Sequence, residues 1–174
     1  MSLIVVDVET DGACPGLGSM VSFGAVLVAD HSKTFYGETR PIVDTYNEEA
    51  LAISKISREQ HLLFDEPTEV MNKFAQWIDE VNISGRPVLI SDNPAFDWQW
   101  INYYFHVYLG RNPFGHSAGR IGDLYCGMVK DASKNYEWKK KFRKVKHDHN
   151  PVNDALGNAQ ALVAMRDMGL KIKF

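Results

Sequence analysis

The segment LIVVDVETDG, residues 3–12, joins an apolar run to two closely spaced carboxylates. The β-branched, apolar run is followed by a turn that contains glycine, which predicts a buried strand over Leu3–Val8. Residues i and i+2 of a strand share a face, so Asp7 and Glu9 are expected to project together from the strand end. Such a pair repels itself unless a hard divalent cation, Mg²⁺ or Mn²⁺, lies between the oxygens. The alternative is a frayed strand end whose acids are simply hydrated.

A second informative segment is HNPVNDALGNAQALVAMRD, residues 149–167. Its apolar residues have helical spacing, and Asn150 and Pro151 are a favourable N-cap and first helical residue, so a helix should start near Pro151. Asp154 lies one turn into this helix, away from the apolar stripe, and His149 lies just before it. This pattern fits a metal ligand beside a general base. Alternatively, Asp154 is a first-turn acid favoured by the helix dipole and His149 is an exposed loop residue.

A third acidic segment, RPVLISDNPAFDWQW, covers residues 86–100. It predicts a strand over Pro87–Ser91, a loop, and a helix that carries Asp97. An amphipathic helix, PTEVMNKFAQWIDEV, precedes it at residues 67–81. Asp97 follows a core strand directly, where α/β folds place their sites, although a first-turn acid is again the simpler alternative.

Three motifs along the chain resemble those of the DEDDh (DnaQ-like) 3′–5′ exonucleases, in the same order. They are Asp7-x-Glu9, Asn93-x-x-Phe96-Asp97, and His149 followed five positions later by Asp154. The resemblance spans almost the whole chain and includes, more narrowly, the small stand-alone bacterial and phage 3′–5′ exoribonucleases. It implies an α/β, ribonuclease-H-like fold with a mixed five-stranded sheet and helices on both faces, in a single domain over residues 1–174.

The positions of the five strands follow from the apolar runs. The first four are expected at Leu3–Val8, Met20–Ala29, Lys33–Pro41 and Pro87–Ser91. Two positions remain open for the fifth, either Ile121–Leu124 or a short strand around His116 or Arg120 that leads straight into a helix.

The resemblance also implies a mechanism. Two Mg²⁺ or Mn²⁺ ions would be held by four carboxylates, with His149 as the general base. The implied metal ligands are Asp7, Glu9, Asp97 and Asp154. Thr10, Asn93 and Phe96 would position the last nucleotide.

The activity expected from the resemblance is removal of 5′-mononucleotides from the 3′ end of single-stranded RNA. A DNA exonuclease with the same chemistry is the first alternative, and a non-catalytic nucleic-acid-binding module is the second. Two positions depart from the family's pattern: Asp92 stands where a His is common, and Asp11 where a Thr or Ser is usual.

Charge is segregated along the chain. The net charge is −3, yet the run KKKFRKVK at residues 139–146 holds six of the nineteen basic residues and no acid. The run ends three residues before His149, so it is expected to bind the phosphates of a nucleic acid through Lys139, Lys140, Lys141 and Arg143. The simpler alternative is a solvated face.

Composition narrows the remaining possibilities. The chain has 174 residues, 45% hydrophobic content, and no run near the ~20 apolar residues of a membrane span. We therefore expect no membrane partner. We also expect no signal peptide. The protein is expected to be cytoplasmic, with its two cysteines, Cys14 and Cys126, as free thiols.

The aromatic stretch at residues 98–110 favours a core helix or a subunit interface over a base-stacking surface. Because the family's close members often pair, a homodimer is expected.

Overall fold

The computed structural model describes residues 2–173, which form one mixed sheet flanked by helices. The strand order is β3-β2-β1-β4-β5, in which β1 pairs antiparallel with β2 and parallel with β4. The predicted ribonuclease-H-like α/β fold is confirmed. The strands are β1 (Leu3–Thr10), β2 (Met20–Leu27), β3 (Thr34–Glu38), β4 (Val88–Ser91) and β5 (Ala118–Arg120).

Helices cover both faces of the sheet. They are α1 (Glu48–Ile53), α2 (Arg58–His61), α3 (Pro67–Val81), α4 (Pro94–Leu109), α5 (Ile121–Val129), α6 (Glu137–Phe142) and α7 (Pro151–Asp167). Within residues 2–173, none of these helices has the length and apolar character needed to cross a membrane.

The alternation of side chains along β1 decides which helix its acids face. Ile4, Val6 and Val8 pack in the core layer that contains α3 and α4. Leu3 and Val5 pack in the opposite layer, which contains α7. Since the side-chain period of a strand is two, Asp7 and Glu9 point to the α7 side of the sheet.

The structure decides between the two predicted positions of the fifth strand and extends β1 beyond its predicted end. The strand is the three-residue β5, and Ile121–Leu124 belongs to α5, because Ile121 and Tyr125 are buried at helical spacing. The second position considered, a short strand at Arg120 leading into a helix, is therefore the one found. β1 continues to Thr10, so its acids lie inside the strand, where they are more enclosed than at a frayed end.

The aromatic stretch forms α4, and most of its large side chains are buried in the core. Trp100, Ile101, Tyr104 and Phe105 are fully buried. The prediction that this helix packs in the core is confirmed for this face.

Candidate active site

Gly24 brings the start of α7 against the sheet beside Asp7. Gly24 is the β2 residue paired with Asp7 in the sheet register. A Cβ at this position would lie 2.4 Å from the carbonyl carbon of Pro151, so only glycine lets α7 approach so closely. One turn later, Asp154 lies fully buried beside the β1 acids. Oxygens of Asp7, Glu9 and Asp154 all lie within 4.8 Å of one another.

Asp97 completes the set of four carboxylates from the other side. It lies in the first turn of α4, and its Oδ1 accepts a hydrogen bond from the backbone N–H of Val8 at 3.1 Å. This bond ties the start of α4 to β1 between Asp7 and Glu9. Asp7, Glu9 and Asp97 line one cavity of about 220 Å³ together with His147 and His149.

The carboxylates are short of compensating positive charge. Burial, followed by the neighbouring Asp97, Asp154 and Glu9, raises the pKa of Asp7 well above its usual range. Burial, reinforced by Asp154 and Asp97, raises the pKa of Glu9 to about 7. Burial likewise raises the pKa of Asp97 to about 7. Such a cluster favours either protons or a cation of high charge density.

Two imidazoles lie over the carboxylates. The Nδ1 of His149 is 3.6 Å from Oε1 of Glu9, and the backbone N–H of His149 donates to Oδ2 of Asp154 at 3.1 Å. The Nδ1 of His147 is 2.5 Å from the same Oδ2. The two rings contact each other with centroids 4.2 Å apart. Both imidazoles lie near a carboxylate, so distance alone does not identify the base. The motif spacing favours His149, and its assignment as the base remains a prediction.

Arg143 was predicted to bind substrate, but its side chain is engaged inside the site. Its guanidinium contacts Oδ1 of Asp154 at 2.5 Å, and its Nε donates to the carbonyl of Val145. The contact is almost wholly buried, and a buried carboxylate needs such a paired charge, so Arg143 acts here as a structural partner of Asp154. The role of Arg143 toward substrate remains a prediction.

The three lysines of α6 point in different directions. Lys139 pairs with Asp92 at 2.5 Å, and Asp92 lines the carboxylate cavity. Lys141 donates to the hydroxyl of Tyr125 at 2.6 Å on the neighbouring helix α5. Lys140 is exposed. The structure thus brings Lys139 to the site's edge but not Lys141, and substrate binding by all three stays a prediction.

The residues predicted to position the last nucleotide lie next to the carboxylates. Asn93 and Phe96 line the carboxylate cavity. Phe96 also lines an adjoining cavity of about 410 Å³, together with Thr10, Glu9 and Ile53. The two cavities share Glu9, Ile53 and Phe96, so a chain end could occupy both at once.

The two departures from the family's pattern have structural explanations. Asp92 is neutralised by Lys139, as described above. Asp11 is fully buried, and its Oδ2 contacts the guanidinium of Arg58 at 2.9 Å. Its other oxygen accepts a hydrogen bond from the backbone N–H of Ser19. Asp11 therefore fixes the loop after β1 to α2.

Sequence reasoning did not single out Lys55 or Ile53, and it placed His147 behind His149 as a candidate base because only His149 has the motif spacing to Asp154. Lys55 donates from Nζ to the carbonyl of Asp148 at 2.8 Å, Ile53 lines both cavities, and His147 contacts Asp154. No local sequence pattern marks Lys55 or Ile53. The H-x-H spacing of His147 and His149 was the one available signal.

Comparison with known proteins agrees with this geometry. No family model matches the chain. The chain is 37% identical over 164 residues to an Escherichia coli protein named 3′-5′ DNA exonuclease Cap18, which covers 90% of this chain and 87% of the relative. The fold is similar to the nuclease domain of 3′hExo, described as a DEDDh family member bound to rAMP. That match has a TM-score of 0.79 at 18% identity over 99% of this chain and 94% of that domain. It is also similar to E. coli exonuclease I in a complex with single-stranded DNA, with a TM-score of 0.70 at 14% identity over 97% of this chain and 41% of that one.

The fold is of the ribonuclease-H-like type, as in these exonucleases. With the 37% identical relative, the narrower grouping follows: the chain belongs to the DEDDh family of 3′–5′ exonucleases.

Proposed function

We propose that the protein is a metal-dependent 3′–5′ exonuclease that releases 5′-mononucleotides from single-stranded nucleic acid. One observation carries the proposal: oxygens of Asp7, Glu9 and Asp154 lie within 4.8 Å of one another, and Asp97 lines the same cavity as Asp7 and Glu9. A carboxylate cluster of this kind, with an imidazole at its edge, suits phosphodiester hydrolysis.

The chemistry of the donors fits divalent ions. All four ligands are carboxylates, which match Mg²⁺ or Mn²⁺ rather than a softer metal. Burial, together with neighbouring acids, raises the pKa values of Glu9 and Asp97 to about 7, and a bound cation would favour their ionised forms. Two ions held by Asp7, Glu9, Asp97 and Asp154 would supply an activated water and charge stabilisation at the leaving 3′ oxygen.

The remaining roles belong to side chains of the protein. His149 accepts the proton of the attacking water at its ring nitrogen near Glu9. Phe96 packs against the terminal nucleotide, and Thr10 and Asn93 orient it from the two cavities. Lys139, Lys140, Lys141 and Arg143 would contribute positive charge toward the rest of the strand.

The choice between DNA and RNA is the finer part of the proposal. The relative named a DNA exonuclease aligns with 90% of this chain, which favours DNA. The sequence motifs favour RNA through their similarity to small exoribonucleases. We propose DNA as the first candidate substrate, because the relative matches over nearly the whole chain, and RNA as the second.

A digest of matched oligonucleotides tests both parts. One sequence, labelled at its 5′ end, is made as RNA and as DNA and incubated with Mg²⁺ or Mn²⁺. We expect a ladder that shortens from the 3′ end, with no products in excess EDTA or with Asp154→Asn. Internal cleavage, or activity undiminished by EDTA, would contradict the proposal. Faster digestion of RNA would reverse the order of the two candidates.

The sequence-based homodimer and cytoplasmic location also remain proposals. Tyr103 and Val107 on α4 stay exposed and give this helix an apolar outer face. Sedimentation at micromolar concentration should show twice the 19.7 kDa of one chain, and a monomer would contradict the prediction. The two free cysteines support a reducing compartment.

A further inference from the structure

Lys55 has a backbone conformation that its residue type disfavours. It lies in the turn between α1 and α2 with φ of 61°, in the left-handed region. Glycine adopts this region freely, whereas a lysine has no short polar group to offset the cost. Its own N–H closes the turn on the carbonyl of Ala52 at 3.1 Å. Lys55 follows the C-cap Ser54, where helices commonly end in this conformation and usually with glycine, so the contacts of the lysine side chain are what distinguish this turn.

The side chain of Lys55 holds one end of the peptide group that precedes the His149 Cα. Its Nζ donates to the Asp148 carbonyl oxygen at 2.8 Å. The N–H of the same peptide group belongs to His149 and donates to Oδ2 of Asp154 at 3.1 Å. One peptide plane is therefore fixed at both ends. His149 itself has φ of 61°, so its side-chain direction depends on this plane being held.

This contact joins two segments that line the carboxylate cavity. Ile53, two residues before Lys55, and His149 both line it. The Lys55 ammonium is close enough to the acids that it lowers the pKa of Glu9, against the larger effect of burial. The link thus joins the α1–α2 turn to the loop that carries the imidazole.

We propose that Lys55 is a positioning residue that holds the His149 imidazole in its working place beside Glu9. This inference rests on the proposed exonuclease function. Lys55 touches no reacting atom and acts by fixing the peptide between Asp148 and His149. Without its ammonium, that peptide is held only at its N–H by Asp154, and the imidazole spends less time near the carboxylates.

Lys55→Gly separates this role from a structural one. The backbone strain is relieved, so Tm should be unchanged or higher by roughly 2–4 °C. The loss of one charge-assisted hydrogen bond that orients the base should lower kcat roughly 10- to 100-fold. KM should change little. Lys55→Arg should recover most of kcat. Lys55→Met should lower kcat as Lys55→Gly does, but without the gain in Tm, because the backbone strain remains.

Lys130 provides a matched control. It is a second lysine with positive φ, 58°, and it caps the C-terminus of α5 without lining the carboxylate cavity. Lys130→Gly should relieve the same strain and leave kcat unchanged. In the metal-free protein, NMR resonances of the His149 ring should shift in Lys55→Gly and stay in place in Lys130→Gly, a readout that needs no activity.

A double-mutant cycle with His149→Asn completes the test. If Lys55 acts through His149, Lys55→Gly should slow the wild type but not the His149→Asn variant. Equal slowing in both backgrounds, unchanged kcat, or unmoved His149 resonances would overturn the inference. A rise in KM at constant kcat would also overturn it, because Lys55 would then contact substrate. If the wild type does not hydrolyse nucleic acid but the expected NMR shifts are seen, the proposed function is rejected and the positioning role of Lys55 is retained.

Discussion

His149→Asn should slow turnover strongly while leaving the carboxylates in place. Asparagine is chosen because it tolerates the left-handed φ of 61° at this position better than alanine does. The backbone N–H that donates to Asp154 at 3.1 Å is retained in the variant. Only the proton acceptor is removed.

The expected size of the effect follows from the position of the ring. Loss of a general base typically costs about 10²–10⁴ in rate. The His149 side chain is 39% exposed, so solvent can replace part of its function. We therefore expect a fall in kcat of roughly 10²–10³, equivalent to about 2.7–4.1 kcal/mol. Removal of a carboxylate that binds metal should cost more.

The assay is single-turnover hydrolysis of a 5′-labelled oligonucleotide with saturating enzyme and Mg²⁺ or Mn²⁺. Metal affinity, measured by calorimetry, should stay near that of the wild type. His147→Asn is the control, since its Nδ1 contacts Asp154 at 2.5 Å rather than facing Glu9. An equal loss in His147→Asn would show that the motif spacing identifies the wrong imidazole. Full activity in both variants would refute catalysis by an imidazole base.

Three further predictions concern the carboxylates and the packing around them. Asp7→Asn should abolish turnover but raise Tm in chelator, because the pKa of Asp7 is raised by burial and by its acidic neighbours; a lower Tm would reveal a structural role. Burial raises the pKa of Glu9 and of Asp97 to about 7, so the folded state binds more protons than the unfolded chain between roughly pH 4 and pH 7, and the difference disappears above that range. Tm in chelator should therefore fall as pH rises from 5 toward 8, and a rise measured by calorimetry would contradict this. Gly24→Ala should push the start of α7 away from the sheet, since its Cβ would meet Pro151 at 2.4 Å, and should lower stability by about 1–3 kcal/mol together with activity; denaturant unfolding that matches the wild type would contradict the packing role of this glycine.

The carboxylate half of the site was predictable because its acids lie on regular elements. Period-two alternation places Asp7 and Glu9 on one face of β1. The cap at Asn150, whose side chain accepts from the N–H groups of Val152 and Asn153, fixes where α7 begins and hence where Asp154 points. The three-residue β5 was harder to predict, because so short a strand cannot show the alternation of apolar and polar residues that identifies longer strands.

The other half of the site depends on contacts that no local pattern records. A count of basic residues predicted a nucleic-acid surface at residues 139–146, but it could not show that Arg143 turns inward to Asp154 at 2.5 Å. The same limit applies to Lys55, whose partner at Asp148 is 93 residues away. Arg143 and Lys55 both contact the loop before α7, which is itself held by hydrogen bonds to Asp154.

Asp154 connects the two halves of the site. Its Oδ1 contacts Arg143, and its Oδ2 contacts His147 and the N–H of His149. One buried carboxylate on a regular helix thus anchors the loop that carries both imidazoles. A divalent ion bound at Asp154 would use the same oxygens, so its binding would be coupled to the arrangement of the loop. Local sequence determines where the helix begins, and so where Asp154 lies. The conformation of the loop depends instead on its contacts with the Asp154 carboxylate. For this reason sequence reasoning located the acids more accurately than the cations around them.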